Sequence, residues 1–398
     1  MNKKPTATIP HIGIYGHRNA GKSSLLNALV AQDVSLVSEI KGTTTDPVKK
    51  RMELIPFGPV IWIDTAGFDD SGLLGEMRVE RTRKMMMQTD FAVIVVDINE
   101  YQNDDNTLLI KELERFKIDY LIVFNKIDTV NQEFRDKVSA DFPNAKFVSS
   151  FDERSVESLK QDIISHLSTE KDPAIVGDLV PYGSTVVLVV PIDSEAPKGR
   201  IILPQVQVIR DCLDHGLKTI VVRDTELAET LDELRQVDLV ITDSQAFNEV
   251  SKIVPNDILL TSFSILFARY KGDLDVLRDG MEQMKKLTPE SKVLIAESCS
   301  HNLSHEDIGR VKIPKLIEKN LGFRPNITHK MGQDFPKLIE GYDFIIHCGS
   351  CMLNKKTMES RIMLAKEKNI PIVNYGVLLA YFNGIYDRSL EVFDQLKT

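Results

Sequence analysis

The sequence contains no run of 18 apolar residues, so no stretch of it is long enough to cross a membrane as a helix. Its first residues, Met1-Asn2-Lys3-Lys4-Pro5, enter an apolar strand without the apolar core of a signal peptide, and a cytoplasmic protein is the expectation. Positive charge is not in excess. Lys and Arg number 49 against 58 Asp and Glu, a net charge of −9, which argues against a nucleic-acid partner, since phosphate backbones require a basic face. Cysteine is scarce: Cys212, Cys299, Cys348 and Cys351 are all there are, and three of them fall late. In a reducing compartment that clustering points to metal or redox chemistry rather than disulfides. Apolar content of 42% and charged content of 27% are ordinary for a globular chain, and 398 residues exceed what one core organises, so two or three domains are expected.

What the sequence does carry, first, is a phosphate loop. Gly16-His17-Arg18-Asn19-Ala20-Gly21-Lys22-Ser23 fits G-x-x-x-x-G-K-[ST] at every fixed position. Ile12, Ile14 and Tyr15 ahead of it predict a buried strand, and Ser24 to Val30 behind it predict a helix. Strand, glycine turn and helix gather backbone N–H groups and a positive helix end around one anion. Lys22 is expected to reach the outer phosphates and Ser23 to hold Mg²⁺, with Ala20 and Ser24 as further nucleotide-binding positions. Ile61-Trp62-Ile63 predicts a strand ending in Asp64-Thr65-Ala66-Gly67, where Asp64 suits the Mg²⁺ shell and the Gly67 N–H suits the γ-phosphate. Leu121 to Phe124 leads into Asn125-Lys126-Ile127-Asp128. The Asp128 carboxylate can accept both N–H groups on the guanine edge, a pairing adenine does not offer. Lys146-Phe147-Val148 then ends in Ser149-Ser150, expected to close over the base. In order, each at the carboxyl end of a strand, these runs predict a GTP-binding, doubly wound parallel sheet over residues 1–172.

That domain resembles the small GTPases of the translation-factor-related class, which includes tRNA-modifying and ribosome-assembly members. The resemblance places switch I at Gly42-Thr43-Thr44-Thr45-Asp46, with the Mg²⁺-binding and catalytic threonine on Thr44 or the adjacent Thr43. Phe68 stands where Ras-like enzymes carry a water-orienting Gln, so hydrolysis is expected to be slow. Related GTPases with an asparagine at Asn19 bind K⁺ there, which implies K⁺-stimulated turnover. Asp69 to Gly72 with Gly75 look like switch II, and Arg78, Arg81, Arg83 and Lys84 like a solvated helix face.

From about Ser168 the chain turns polar, and a linker is expected before Pro173. Ser184 to Val190, Lys218 to Val222 and Leu239 to Thr242 predict strands, separated by helices over 204–213 and 225–236, a compact βαβαβ unit. Cys212 is expected in its core and His215 at a helix end before Gly216. Further on, Leu274 to Leu287 predicts a long amphipathic helix. Lys292 to Glu297 predicts a strand ending in Ser298-Cys299-Ser300-His301, and Tyr342 to Ile346 a strand ending in His347-Cys348-Gly349-Ser350-Cys351. Two parallel strands would bring these soft ligands together. A structural Cys₃His zinc site, an iron–sulfur cluster on three thiolates, and a set of buried thiols all remain open from spacing alone. His305 and His329 are expected to be exposed among loop or helix residues, and Arg269 and Lys271, before the long helix, to be solvated charges or to meet an anionic precursor.

The combination is more specific. A GTPase followed by Cys299-x-His301 and then His347-Cys348-x-x-Cys351 resembles the HydF family of [FeFe]-hydrogenase maturation GTPases along the whole chain. The resemblance implies three α/β domains: a P-loop GTPase over 1–172, a small βαβ dimerisation domain over 173–265, and a cluster domain over 266–398. It implies that Cys299, Cys348 and Cys351 ligate a [4Fe–4S] cluster, with His301 and His347 either as candidates for the fourth position or as groups that steer a neighbouring thiolate or precursor by hydrogen bonding. It implies a homodimer that carries a diiron precursor to the apo-[FeFe]-hydrogenase catalytic subunit, alongside two radical-SAM maturases. The chain itself lacks a C-x-x-x-C-x-x-C run, so it is not expected to make the ligands. The alternative is an RNA-modifying or ribosome-assembly GTPase with a structural zinc site.

Overall fold

The computed structural model describes residues 6–31, 38–40, 48–64, 82–102, 106–169, 173–192, 201–298, 308–331, 335 and 339–395. Two compact units divide the chain, Met1–Asp172 and Pro173–Thr398.

The first unit contains β1 (His11–Tyr15), α1 (Lys22–Ala31), β2 (Ser38–Ile40), β3 (Val48–Leu54), β4 (Gly58–Asp64), β5 (Phe91–Asp97), α2 (Thr107–Arg115), β6 (Asp119–Asn125), α3 (Gln132–Asp141), β7 (Lys146–Phe147) and α4 (Glu153–Thr169). The strands form one sheet in the order β2-β3-β4-β1-β5-β6-β7. From β4 to β7 the strands run parallel as expected. At the other edge β3 pairs antiparallel with both β4 and β2, an antiparallel edge on the otherwise parallel sheet expected. The reason is visible in β3 itself: Met52 and Leu54 are buried while Lys49, Arg51 and Glu53 are not, the alternation of a strand with one wet face. β1, by contrast, is buried at all five residues, as a central parallel strand covered on both faces must be. Its Ile12 and Ile14 join Trp62, Val93, Val95 and Val123 in a core closed by Leu25 and Leu29 of α1 and Leu159 and Ile163 of α4.

The second unit holds two four-stranded parallel sheets. The first runs β11-β10-β8-β9 and the second β13-β12-β14-β15. Their strands are β8 (Thr185–Val189), β9 (Lys218–Val222), β10 (Leu239–Thr242), β11 (Leu259–Ser262), β12 (Lys292–Glu297), β13 (Asn326–Met331), β14 (Phe344–His347) and β15 (Ile372–Asn374). The helices follow as α5 (Leu203–Asp214), α6 (Leu227–Glu233), α7 (Phe247–Ile253), α8 (Phe263–Lys271), α9 (Leu274–Gln283), α10 (Ile313–Leu321), α11 (Lys355–Glu367), α12 (Tyr375–Phe382) and α13 (Tyr386–Asp394). β11 adds a fourth strand to the three expected, because the short run Leu-Leu-Thr-Ser switches to helix at once behind the Ser262 cap, whose Oγ accepts from the Ile265 N–H. Cys212 is fully buried on α5, and His215 closes that helix ahead of Gly216, as expected. His329 stands half-buried on β13 rather than exposed on a loop or helix.

At the carboxyl end of the chain, α13 packs against β11. Arg388 donates to the Ser251, Val254 and Pro255 carbonyls at the end of α7, and Thr261 Oγ1 donates to the Ser389 carbonyl. The carbonyls at the end of α7 therefore find their partner more than 130 residues downstream. Among the described residues no helix is long and apolar enough to cross a membrane.

Candidate functional site: a phosphate loop and a cysteine turn

In the first unit the phosphate loop joins β1 to α1. Gly16 has φ +131 and a Cβ there would stand 2.1 Å from the Val95 carbonyl oxygen. Gly21 has φ +90 and a Cβ would meet Asn125 Nδ2 at 2.3 Å. Only glycine satisfies both conditions. Asn19, exposed, takes the left-handed conformation at φ +64. Lys22 is buried and its ammonium donates to the Gly16 and His17 carbonyls at 2.8 and 2.6 Å, which holds it across the mouth of the loop. Ser23 and Asp64 come together as predicted for a shared Mg²⁺: Ser23 Oγ donates to Asp64 Oδ2 at 3.3 Å. Burial raises the Asp64 carboxyl above its usual range, against the pull of Ser23, Lys22 and Lys50.

The base side is built from β6 and the turn after β7. Asn125 is buried, donates from Nδ2 to the Ala20 carbonyl at 3.1 Å and accepts at Oδ1 from Ser150 Oγ at 3.1 Å. One amide thus ties the phosphate loop to the base-closing turn. Lys126, at φ +65, reaches back to Asp97 Oδ2 at 2.6 Å. Burial raises Asp97, but the bonds from Lys126 and Asn99 outweigh it and hold the carboxyl below its usual range. Asp128 is exposed. Ser149 is buried, and its Oγ accepts from the Phe151 N–H at 3.3 Å. Arg83 pairs with Glu112 at 3.0 Å, consistent with a solvated face. Thr43, Thr44, Gly67, Phe68, Arg78 and Arg81 lie outside the described residues.

In the second unit β12 and β14 are parallel neighbours, with Ala296 level with His347. The strand ends expected to meet do meet. Cys348 Sγ accepts the Ser298 N–H at 3.0 Å, and its thiol lies 3.0 Å from Ser298 Oγ. Cys299 and His301 follow outside the described residues, as does His305. Across the turn, burial and the neighbouring Cys348 push the Cys351 thiol up to about 11, with Lys271 pulling the other way. Ser350, between the two cysteines, is left-handed at φ +57.

Behind the turn sits a polar core that sequence reasoning missed. His347 is fully buried; its Nδ1 is 2.9 Å from the Cys348 carbonyl and its Nε2 2.7 Å from Arg361 Nη1. The ring therefore donates to the carbonyl from Nδ1 and accepts the guanidinium at Nε2, and burial and Arg361 hold its pKa down to about 3. With both nitrogens so engaged, the ring fits the hydrogen-bonding role expected as the alternative to ligation. Arg361 is itself buried, its guanidinium 4.8 Å from the centre of the Phe335 ring. Lys271 is 1% exposed, and donates to the carbonyls of Ser350 (3.0 Å), Cys351 (3.4 Å) and Leu353 (2.8 Å). Arg269 pairs with Asp178. Lys271 is not the solvated charge expected, whereas Arg269 keeps part of its side chain in solvent. Lys271 stands in the last turn of a helix and Arg361 inside another, where sequence alone reads a surface cation. Among the described residues no three His, Cys, Asp or Glu side chains form a metal-holding group. The described thiols nevertheless fit thiolate ligation: two sulfurs on one tight turn, one accepting a backbone N–H, with a third cysteine next after Ser298.

Comparison with known proteins bears on both sites. Residues 175–272 match the hydrogen maturase F dimerization domain and residues 275–392 the hydrogen maturase F tetramerization domain, together more than half of the chain. The chain belongs to the hydrogen maturase F family. Ahead of the two maturase domains, residues 11–126 match the 50S ribosome-binding GTPase family. Over this stretch the maturase chain is similar to the tRNA modification GTPase MnmE of Mycoplasmoides gallisepticum, 36% identical over 135 residues, or 32% of this chain and 30% of that protein. It is similar also to GTPase Der of Wolinella succinogenes, 36% identical over 128 residues, or 31% and 27%. The match spans less than a third of the length of these two curated relatives. Among solved structures, a variant of Aquifex aeolicus Era bound to GDP·AlF4⁻ shares 17% identity at a TM-score of 0.34, over 54% of this chain and 93% of that one. The phosphate loop, Asn125, Lys126 and Asp128 make the first unit a P-loop GTPase domain, and the maturase domains form the second unit.

Proposed function

We propose that this hydrogen maturase F chain is a GTP-hydrolysing scaffold that holds a [4Fe–4S] cluster and carries a diiron precursor to apo-[FeFe]-hydrogenase. The observation that carries the reading is the pairing of β12 with β14, which sets Ser298, the residue before Cys299, against Cys348 Sγ in a chain that also has an intact phosphate loop. Cys299, Cys348 and Cys351 are the proposed thiolate ligands, and His347 supports the turn from behind rather than ligating. When bound, the cluster supplies an iron with an exchangeable fourth position. The protein's own groups hold the turn, donate N–H to sulfur and exclude water through the buried core around Arg361. In the first unit Lys22, Ser23 and Asp64, with Thr44 and Gly67, bind Mg·GTP, and Asp128 with Asn125 selects guanine. Hydrolysis is slow for want of a glutamine after Gly67, and K⁺ held at Asn19 spreads the developing phosphate charge. The maturase domains associate into homo-oligomers, and the two radical-SAM maturases supply the cargo.

The test is iron, sulfide and zinc analysis with EPR on protein reconstituted without oxygen. About four irons and four sulfides per chain, with a reducible signal, are expected for a single cluster of this type. Cys348→Ser is expected to lose the signal while GTP turnover stays within about twofold, since the two sites lie in separate units. One zinc per chain and no labile sulfide would remove the carrier reading and leave an RNA-associated GTPase with a structural zinc.

A further inference from the structure

Lysine seldom sits fully buried, because stripping water from an ammonium is costly unless several acceptors replace it. Lys271 is 1% exposed, and three acceptors within four residues, the carbonyls of Ser350, Cys351 and Leu353, converge on its Nζ. A trans peptide sets each carbonyl antiparallel to the following N–H. Gathering these three carbonyls on one ammonium therefore turns the N–H groups of Cys351, Met352 and Asn354 away from it. Ser350 at φ +57 keeps the turn in that orientation, a conformation that needs such support in a residue with a Cβ. Arg361, also buried, adds a second cation behind the turn, its Nη1 2.7 Å from His347 Nε2.

We infer that Lys271 is a positioning residue for the cysteine turn. It folds residues 350–353 into their ligating form before metal arrives, and it stands as a fixed positive charge behind the thiolates. The position of the residue reinforces this. Lys271 closes α8, a helix that starts directly from β11 of the neighbouring sheet, so the ammonium is anchored to a rigid element rather than to a loop. Three thiolates on a [4Fe–4S]²⁺ core leave a net negative group, and one-electron reduction makes it more negative. A fixed cation behind the turn favours both retention of that group and its reduction.

The inference rests on the cluster reading above, and the experiment separates the two. Wild type, Lys271→Gln and Lys271→Met are reconstituted as full-length protein, desalted, assayed for retained iron and titrated with dithionite against EPR. Lys271→Gln keeps donors without charge. It is expected to retain iron near the wild-type level but to shift the reduction equilibrium at least tenfold towards the oxidised form, 59 mV for one electron. Lys271→Met keeps neither and is expected to lose most of its iron on desalting, and Lys271→Arg to recover both properties in large part. A glutamine variant at the wild-type potential overturns the charge role. A methionine variant that is folded by circular dichroism and retains iron as wild type does overturns the positioning role. Should the methionine variant not fold, the glutamine and arginine variants decide. A wild-type chain that takes up no iron would overturn the cluster reading, and this inference with it.

Discussion

Acidification should destabilise the GTPase unit through one histidine. His11 on β1 is 6% exposed, and its Nδ1 donates to the Ile9 carbonyl at 2.9 Å. Burial, helped by Lys49, holds its pKa down to about 3, even though Asp90 Oδ2 stands 3.8 Å from Nδ1. The Asp90 carboxylate already accepts the His11 backbone N–H and is half-buried, so the cost of desolvating an imidazolium wins over that attraction. In the unfolded chain the imidazole titrates near 6.5. Above that pH it is neutral in both states and contributes nothing. Below it the unfolded state takes up a proton that the folded state refuses, so stability falls until the pH reaches about 3. At 1.36 kcal/mol per pH unit, lowering the pH from 7 to 5 removes about 2 kcal/mol through this residue. Trp62 is the chain's one tryptophan, fully buried on β4 and level with Ile12, so its fluorescence in urea reports unfolding of this unit. His11→Asn has an amide that can replace the Nδ1 donor and has no proton to gain. The variant will start less stable, but its loss between pH 7 and 5 is expected to be about 2 kcal/mol smaller than that of wild type. If the two proteins lose the same amount, the histidine is not held neutral and the reasoning fails.

Three further outcomes are expected. Gly21→Ala puts a methyl group 2.3 Å from Asn125 Nδ2 at φ +90, and should weaken binding of a fluorescent GDP analogue at least about tenfold, an effect of 1.4 kcal/mol; unchanged affinity would mean the loop tolerates the strain. Replacing K⁺ with Na⁺ should slow GTP turnover if Asn19 helps hold the cation, and equal rates in the two salts would remove that role. β9 closes one edge of its sheet with Val221 44% exposed, and Val221→Lys should shift sedimentation towards monomer at micromolar concentration; an unmoved profile would place self-association elsewhere.

The nucleotide site was legible in the sequence because each part is a short local motif whose chemistry needs fixed residue types. The loop glycines, Ser23 with Asp64, and Asn125 all fall where spacing put them. The meeting of β12 with β14 was also legible, since two apolar runs ending in cysteine can juxtapose their ends only in a parallel sheet. What could not be read was long-range polar burial. Lys271 and Arg361 carry no periodic signal that separates a solvated cation from one folded under a turn about 80 residues away in the case of Lys271. The antiparallel edge was missed because β2 is three residues long and β3 is rich in charge, so neither shows an apolar run.

Arg388 has a consequence for how such a chain can be cut or recombined. Its guanidinium serves the last carbonyls of α7, and α13 lies on β11, although the sequence boundary between the two maturase domains falls near residue 273. A fragment ending at that boundary would lack the arginine and the helix that complete its own sheet, and should be recovered insoluble. The inheritable module is the whole second unit, and a gene fusion that respects the physics would exchange the GTPase ahead of it while keeping the two maturase domains together.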